Sequence, residues 1–227
     1  PRPQHHGPGV GLPLDGSIDR PLSRPAKRVT ELVQRLENGV GVYSLEARER
    51  ELPKEGPVTL HHPGGSKSGA GVLDNGLRVG LWHEWYASGQ LSLEGHYFHG
   101  AKHGRWTYWY ENGQVRETGE YLYDRKEGLW ASWYENGQKE RLGSYRNDRA
   151  EERVTMWYSD GAKAAEGHFA NDLREGLWLE WHENGALASR GSYFRGRADA
   201  RWEFWGPGGE PDLFLTGLYE SGRRVSH

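Results

Sequence analysis

Cysteine is absent from the sequence, which excludes disulfide bonds and cysteine-based zinc sites. Methionine and isoleucine, two common core residues, are almost absent too, since there is one methionine and Ile18 is the only isoleucine. The formal net charge is −3, from 29 basic and 32 acidic side chains, so nothing favours nucleic acid as a partner. No stretch approaches the ~20 apolar residues that cross a bilayer, and membrane insertion is therefore not expected.

Glycine and large aromatic residues are abundant instead, with 33 Gly, 11 Trp and 12 Tyr. Glycine supplies the backbone conformations of tight turns, and aromatic residues are enriched in β-strands. This composition predicts an all-β protein of many turns joined by short aromatic strands.

A period of 24 residues organises most of the chain. Segments that begin at residues 80, 104, 128, 152, 176 and 200 align without gaps, and residues 56–79 form a degenerate first repeat. Terminal repeats are expected to be atypical because they cap a stack. A first tryptophan column, with Val154 in the fourth place, comprises Trp82, Trp106, Trp130, Trp178 and Trp202. A second, unbroken column comprises Trp85, Trp109, Trp133, Trp157, Trp181 and Trp205. A glycine column two residues before an aromatic residue includes Gly95, Gly119, Gly143 and Gly191.

Each repeat contains two strand signals, which in the second repeat lie near residues 81–86 and 91–98. A dipeptide separates them, Ser88-Gly89 in this repeat and Asn112-Gly113 in the next. Asn-Gly is typical of two-residue hairpin turns in which both residues have positive φ. The connection to the next repeat is expected to be looser. Asp124, Asp148 and Asp172 in those connections are interpreted as turn residues rather than calcium ligands.

A two-residue turn at 88–89 predicts the hairpin register. It sets Tyr86 opposite Leu91, Glu84 opposite Leu93, and Trp82 opposite Gly95, whose bare backbone the indole can cover. Strand alternation then places Trp82, Tyr86 and Tyr97 on one face and Trp85 on the other.

The predicted fold is an elongated single-layer antiparallel sheet of up to 14 strands, roughly 65 Å long at ~4.8 Å per strand. The repeat at 152–175 has Glu152 and Val154 in place of Gly and Trp, so a kink or weaker stacking is expected there.

The repeat pattern resembles the MORN repeat, in particular the bacterial variant of YwqK-like antitoxins. Gly104-Arg-Trp106-Thr-Tyr-Trp109-Tyr110-Glu-Asn-Gly113-Gln114 carries the resemblance most closely, and it extends over roughly residues 56–223. The resemblance implies a curved β-sheet that mediates protein contacts, with no catalytic residues. The functions known for such repeats include scaffolds, lipid contacts and antitoxins.

The amino-terminal part differs from the repeat domain assigned to 56–227. Residues 1–25, rich in proline and glycine, are interpreted as a disordered tail, and 26–55 as a short helix with a capping segment. Apolar residues at helical spacing predict the helix over 26–37, followed by the stop signal Asn38-Gly39. Residues 40–45 are a possible strand, and 46–55 fit a helix or a loop equally well.

No catalytic motif or cofactor signature is present, and the chain is not expected to be an enzyme. The neighbouring histidines His83, His96, His99 and His103 do not recur in later repeats, and alternation separates His96 from His99, so no metal site is predicted.

The aromatic columns form the expected core, but one face could remain open to a ligand. The candidate binding residues on the richest face are Trp106, Tyr108, Tyr110, Trp130 and Tyr134. We expect a protein-binding scaffold that uses this aromatic face or an edge strand. Two alternatives are an antitoxin or immunity protein and a module for cell-wall glycans or choline. Self-association through sheet edges is possible.

The sequence starts at Pro1 rather than methionine. We therefore favour a processed protein of the bacterial cell envelope or a secreted protein, with a cytoplasmic protein as the alternative.

Overall fold

The structure, a computed structural model, describes residues 33–37, 40–44 and 54–226. Every regular element in this part of the chain is a β-strand. The strands are β1 (Val33–Glu37), β2 (Val40–Ser44), β3 (Gly56–His61), β4 (Lys67–Asp74), β5 (Leu77–Trp85), β6 (Leu91–Phe98), β7 (Ala101–Trp109), β8 (Val115–Leu122), β9 (Arg125–Trp133), β10 (Lys139–Arg146), β11 (Arg149–Trp157), β12 (Lys163–Ala170), β13 (Leu173–Trp181), β14 (Leu187–Phe194), β15 (Arg197–Phe204), β16 (Gly217–Glu220) and β17 (Arg223–Ser226).

Strands β3 to β17 pair in chain order as one open sheet of 15 strands, and β1 and β2 form a separate two-stranded sheet. This order confirms the all-β class and the antiparallel hairpin repeat. The sheet has one strand more than the predicted maximum because β17 begins a further repeat after the last complete one. A search of the described residues for a membrane-spanning helix finds none.

The helix predicted over 26–37 is wrong for its last five residues, which form β1. Glu37 pairs with Val40, and the Asn38-Gly39 dipeptide between them is a hairpin signal as well as a helix stop. The strand considered at 40–45 is confirmed as β2. The rest of the helix, residues 26–32, and the tail at 1–25 lie outside the described residues.

The contacts divide the described chain into two compact bodies. The first body extends to Arg149 and includes Met156–Gly161, and the second comprises Ala150–Thr155 and the chain from Ala162 onward. Each body is built from the same hairpin repeat.

The turn inside each repeat differs from the expected one. Gly89 has φ +89° but Ser88 does not have positive φ. The Gly89 N–H donates to the Tyr86 carbonyl at 2.9 Å, and the Tyr86 N–H donates to the Gln90 carbonyl at 2.8 Å. This is a type I turn followed by a glycine bulge. The pairings of Trp82 with Gly95 and of Glu84 with Leu93 are confirmed, whereas Trp85, and not Tyr86, pairs with Leu91.

The two-residue turn with positive φ at both positions lies instead between repeats, where a looser connection was expected. Tyr123 and Asp124 have φ values of 51° and 67°. The Asp124 carboxylate accepts the Lys102 N–H at 2.8 Å, and the Asp124 N–H donates to the Lys102 carbonyl at 3.0 Å. Asp148 and Asp172 repeat this arrangement, so the interpretation of these aspartates as turn residues is confirmed.

The repeat at 152 keeps the backbone of its neighbours at this position. Glu152 has φ 63°, within the left-handed region used by Gly104 and Gly128 at the equivalent positions. Val154 is buried like the tryptophans it replaces.

Candidate interaction surfaces

The inner face, which we define as the face that carries the first tryptophan column, is a closed aromatic core. In the first body, Tyr97 lies edge-on between Trp82 and Trp106, with ring centroids 6.1 and 5.0 Å away. Tyr121 lies in the same way between Trp106 and Trp130, at 5.9 and 4.9 Å. In the second body Tyr193 separates Trp178 and Trp202. Edge-to-face pairs of this kind add ~0.5–1.5 kcal/mol each beyond area burial.

The glycine column is essential to this packing, although not in the way predicted. Gly95 pairs with Trp82 in its own hairpin, but the ring that covers Gly95 belongs to Trp106 of the next repeat. The Trp106 Nε1–H donates to the His96 carbonyl at 3.1 Å, which fixes the indole over the bare backbone. Gly71, Gly119, Gly167 and Gly191 are covered in the same way by the tryptophan of the following strand. Gly143 is buried and pairs with Trp130.

Basic side chains of the chain itself lie over the inner tryptophans. Arg78 lies 4.3 Å from the centroid of Trp82, and its guanidinium contacts Glu84 at 2.7 Å and the Tyr97 hydroxyl at 3.0 Å. Arg174 makes the equivalent contacts with Trp178, Glu180 and Tyr193, and Lys126 lies 3.9 Å from the ring of Trp130 and pairs with Glu117. At these three tryptophans the chain therefore fills with its own cations the aromatic sites that a choline-type ligand would need.

Lys102 also covers an inner tryptophan, but its polar partner is a hydroxyl instead of a carboxylate. Its Nζ lies over Trp106 and donates to the Tyr108 hydroxyl at 2.7 Å, where the other pairs have a carboxylate. Burial lowers the pKa of Lys102. Burial raises the pKa of Tyr108 and raises that of Tyr121 to about 12.

The five candidate binding residues divide into two groups. Trp106, Tyr108 and Trp130 are buried in the inner core, with Trp106 0% exposed. Tyr110 and Tyr134 are half-buried, and each hydroxyl donates at 2.8 Å to a backbone carbonyl of the next repeat, at Trp133 and Trp157 respectively. All five therefore hold the repeats together, and none offers a freely exposed ring.

The outer face, opposite the inner face, carries the second tryptophan column. These six tryptophans are half-buried. In two repeats of the first body a lysine lies over the ring: Lys67 lies 3.9 Å from the centroid of Trp85, and Lys139 lies 5.8 Å from that of Trp157.

Exposed aliphatic and phenylalanine side chains also lie on the outer face, and the sequence interpretation did not single them out. Each is the chain neighbour of an inner-face residue, so strand alternation places it on the opposite side. In the first body they are Val72, Leu77, Leu81, Phe98, Leu122 and Leu129; in the second they are Leu173, Leu177, Phe194 and Leu218. The signal was available, because the Leu81, Leu129 and Leu177 column directly precedes the first tryptophan column.

The histidines take part in separate contacts. His83 bonds Glu94 at 2.9 Å, whereas His103 contacts the rings of Phe98 and Tyr123. Among the residues for which the structure gives a placement, no group of three or more His, Asp or Glu side chains is arranged to hold a metal ion.

These features define a tandem β-hairpin repeat protein with a self-filled aromatic core on one face. Four segments match the family described as MORN repeat variant: residues 78–99, 102–123, 126–147 and 174–194. Each matched segment begins at the cation that covers the inner tryptophan, namely Arg78, Lys102, Lys126 and Arg174. Two repeats outside the match have Ala150 and Ala198 at this position.

No curated protein matches the chain. Among solved structures, the chain has 10% identity to a crystal structure of a protein with unknown function from Bacteroides fragilis NCTC 9343. That alignment covers 74% of this chain and 95% of the other, with a TM-score of 0.14, which is too low to support any argument.

Proposed function

We propose that this chain is a non-catalytic scaffold that binds another protein through the outer face of its repeat sheet. The observation that carries the proposal is the set of exposed apolar side chains on that face. Leu129 is 60% exposed, and Leu81, Phe98 and Leu122 of the same body are exposed as well. Several large apolar side chains that remain exposed on one face mark that face as a candidate interaction surface.

The inner face supports this assignment because it is already occupied. Its tryptophans pack against tyrosines and are covered by Arg78, Lys102 and Lys126 of the same chain. A partner on that side would have to displace these cations from their ring and hydroxyl contacts, whereas the outer aliphatic residues are available without rearrangement.

The strand edges are the less favourable route. Strand β17 has four residues and begins with Arg223 and Arg224, and charged side chains on a short edge strand oppose pairing with another chain. Strand β3 contains Pro57, which cannot donate a backbone hydrogen bond.

The test compares wild type with Leu81→Ser and Leu129→Ser, separately and combined. Partners are cross-linked in cells of the source organism and identified by mass spectrometry, and each purified partner is then titrated against the purified variants. Because both leucines are exposed, the circular dichroism spectrum should not change. We expect the double variant to bind at least tenfold more weakly, since losing buried Leu side chains costs ~1.5 kcal/mol or more each.

Glu111→Gln, in an exposed turn, is the matched control and should leave affinity unchanged. If the double variant binds the identified partner as tightly as wild type does, the outer face is not the binding site. Two narrower functions that the sequence suggests, neutralisation of a toxin in the manner of YwqK-like proteins and binding of cell-wall glycan or choline, remain predictions. Co-expression with a neighbouring toxin gene tests the first of them.

A further inference from the structure

The side chain of Lys102 has surroundings that the equivalent cations of the other repeats do not have. Lys126, at the same position one repeat later, pairs with the Glu117 carboxylate. The two arginines that lie over inner tryptophans are paired with carboxylates as well. The Lys102 Nζ donates instead to the Tyr108 hydroxyl at 2.7 Å, and Lys102 forms no ion pair in the part of the chain that the structure describes. Its charge is therefore not neutralised by direct contact with a carboxylate.

Aromatic rings surround the Lys102 amine on the inner face. The Nζ atom lies 4.5 Å from the ring centroid of Trp106, 4.8 Å from that of Tyr121 and 5.3 Å from that of Tyr108. Ring faces attract a cation, but they do not replace the water molecules that accept hydrogen bonds from the three N–H groups of an ammonium. The amine is therefore held in a largely apolar site.

The groups around Lys102 shift its pKa in both directions. Burial lowers the pKa most, and the nearby Lys126 ammonium lowers it as well. The carboxylates of Asp124, Glu84 and Glu117 raise it, but the net shift is downward. A lysine with a lowered pKa has a larger fraction of neutral amine, which is the nucleophilic form.

Tyr108 places a proton donor beside this amine. Burial raises the pKa of Tyr108, so its hydroxyl keeps its proton at neutral pH. The hydroxyl lies 2.7 Å from the Lys102 Nζ and donates to the Tyr121 hydroxyl at 3.4 Å. A nucleophile and an acid within hydrogen-bond distance are the pair that condensation of an amine with a carbonyl compound requires. Lys102 also keeps partial solvent exposure, as a small reagent needs in order to reach it.

We propose that Lys102 is a covalent binding site for a small aldehyde, which it holds as an imine. The neutral Nζ attacks the carbonyl carbon, so that a C–N bond forms as the carbon–oxygen π bond breaks. The two hydrogens of the neutral amine then leave with the carbonyl oxygen as water, and the condensation requires no oxidant or reductant. Tyr108 gives a proton to the departing oxygen and takes one back from the nitrogen.

The inner core can accommodate this product. A protonated imine carries the same charge as the ammonium, so a cation remains over the ring of Trp106. Lys102 lies on the inner face, and the inference is therefore independent of the outer-face proposal: either can fail without the other.

The test treats the full 227-residue chain with propanal and cyanoborohydride, which reduces an imine to a stable alkylamine. Peptide mass spectrometry over a time course then gives the rate of alkylation at each lysine. Lys126 is the control within the chain, because it occupies the same repeat position and has a carboxylate partner. Lys102 should be alkylated at least about tenfold faster than Lys126. Equal rates at the two lysines would overturn the proposal, and this comparison needs no variant.

Tyr108→Glu tests the role of the hydroxyl. Glu84 and Glu180 occupy the equivalent position in other repeats, and each pairs with the cation of its own repeat. The substitution removes the proton donor and gives Lys102 a carboxylate partner, so alkylation of Lys102 should slow to about the rate of Lys126. Tyr123→Phe, which removes an exposed hydroxyl, is the control and should leave the Lys102 rate unchanged. A Tyr108→Glu chain that is folded by circular dichroism and still alkylated at Lys102 at the wild-type rate would also overturn the proposal.

Discussion

The indole of Trp106 lies so close to Gly95 that a Cβ atom on Gly95 would come within 2.2 Å of the ring. Gly95 has no positive φ, so the space occupied by Trp106, rather than the backbone conformation, requires glycine here. We expect Gly95→Ala to displace the indole and lower the free energy of unfolding by about 2–3 kcal/mol, measured by urea denaturation.

Gly64→Ala is the matched control for this substitution. Gly64 also lacks positive φ, but a Cβ atom added to it would have no other atom within 4 Å. The free energy of unfolding of the Gly64→Ala variant should differ from that of wild type by less than about 0.5 kcal/mol. Equal effects of the two substitutions would show that indole contact does not determine the glycine column.

The periodicity was sufficient to predict the fold class and most of the hairpin register, because the two tryptophan columns and the glycine column share one period. It was not sufficient to assign the turns. Asn112-Gly113 is compatible with two hairpin loops, and the structure uses the one in which the Asn112 side chain caps the turn: its Oδ1 accepts the Gln114 N–H at 2.9 Å. The Asn112 Nδ2 donates to the Glu135 carbonyl of the next repeat at 2.8 Å, a contact between repeats that a single hairpin cannot reveal.

The open face was harder to predict than the fold. Alternation separates Trp106 from Leu129 by face, but it does not show which face the chain's own side chains will cover. That depends on Lys102 and Lys126, which lie in the connections between repeats in the sequence and yet cover the tryptophans in the structure. Long basic side chains can lay their aliphatic stems along apolar rings, so their position in a polar segment of the sequence hides their role.

A second relationship links the inner-face residue four before a first-column tryptophan with the residue two after it at four of the five tryptophans, whereas at Trp130 the cation Lys126 pairs with Glu117 instead. The pairs are Arg78 with Glu84, Lys102 with Tyr108, Arg174 with Glu180, and Ala198 with Phe204. In the last of these pairs the cation is missing and the partner is apolar. We therefore expect Phe204→Glu alone to destabilise the chain, because its carboxylate lacks a cation, and Ala198→Arg to restore part of the loss.

A double-mutant cycle measures this coupling, which we expect to be about 1–2 kcal/mol in favour of the pair. The exposed ion pair of Arg190 and Glu203 supplies the comparison, and its coupling should be below about 1 kcal/mol. Additive effects of the Ala198 and Phe204 substitutions would mean that the two positions vary independently.

The left-handed backbone at Glu152 leads to a stabilising substitution. Glu152 has φ 63°, and the equivalent Gly128 has φ 66° with no atom near its missing side chain. Because the left-handed region disfavours residues with a Cβ, Glu152→Gly should raise the free energy of unfolding by about 0.5–1 kcal/mol. Gly128→Ala should lower it by a similar amount. Urea denaturation of both variants gives the measurement, and effects of the same sign would contradict the backbone argument.

Buried tyrosines should make the chain sensitive to alkali. Burial raises the pKa of Tyr121 to about 12, above the ~10 of an unfolded tyrosine. The unfolded chain therefore loses this proton first, so the stabilisation is complete below about pH 10 and is lost as the pH rises toward 12. The lowered pKa of Lys102 acts in the opposite direction, since its ammonium loses a proton more readily in the folded chain.

Tyr121→Phe isolates the tyrosine contribution, because phenylalanine keeps the ring beside Trp130 and cannot ionise. We expect its free energy of unfolding, measured by urea denaturation from about pH 9 to about pH 12, to fall less steeply with pH than that of wild type. Tyr123→Phe, at an exposed position two residues away, controls for the loss of a hydroxyl. If Tyr121→Phe and wild type lose stability at the same rate, ionisation of Tyr121 does not drive alkaline unfolding, and the burial of its hydroxyl has no energetic consequence in this pH range.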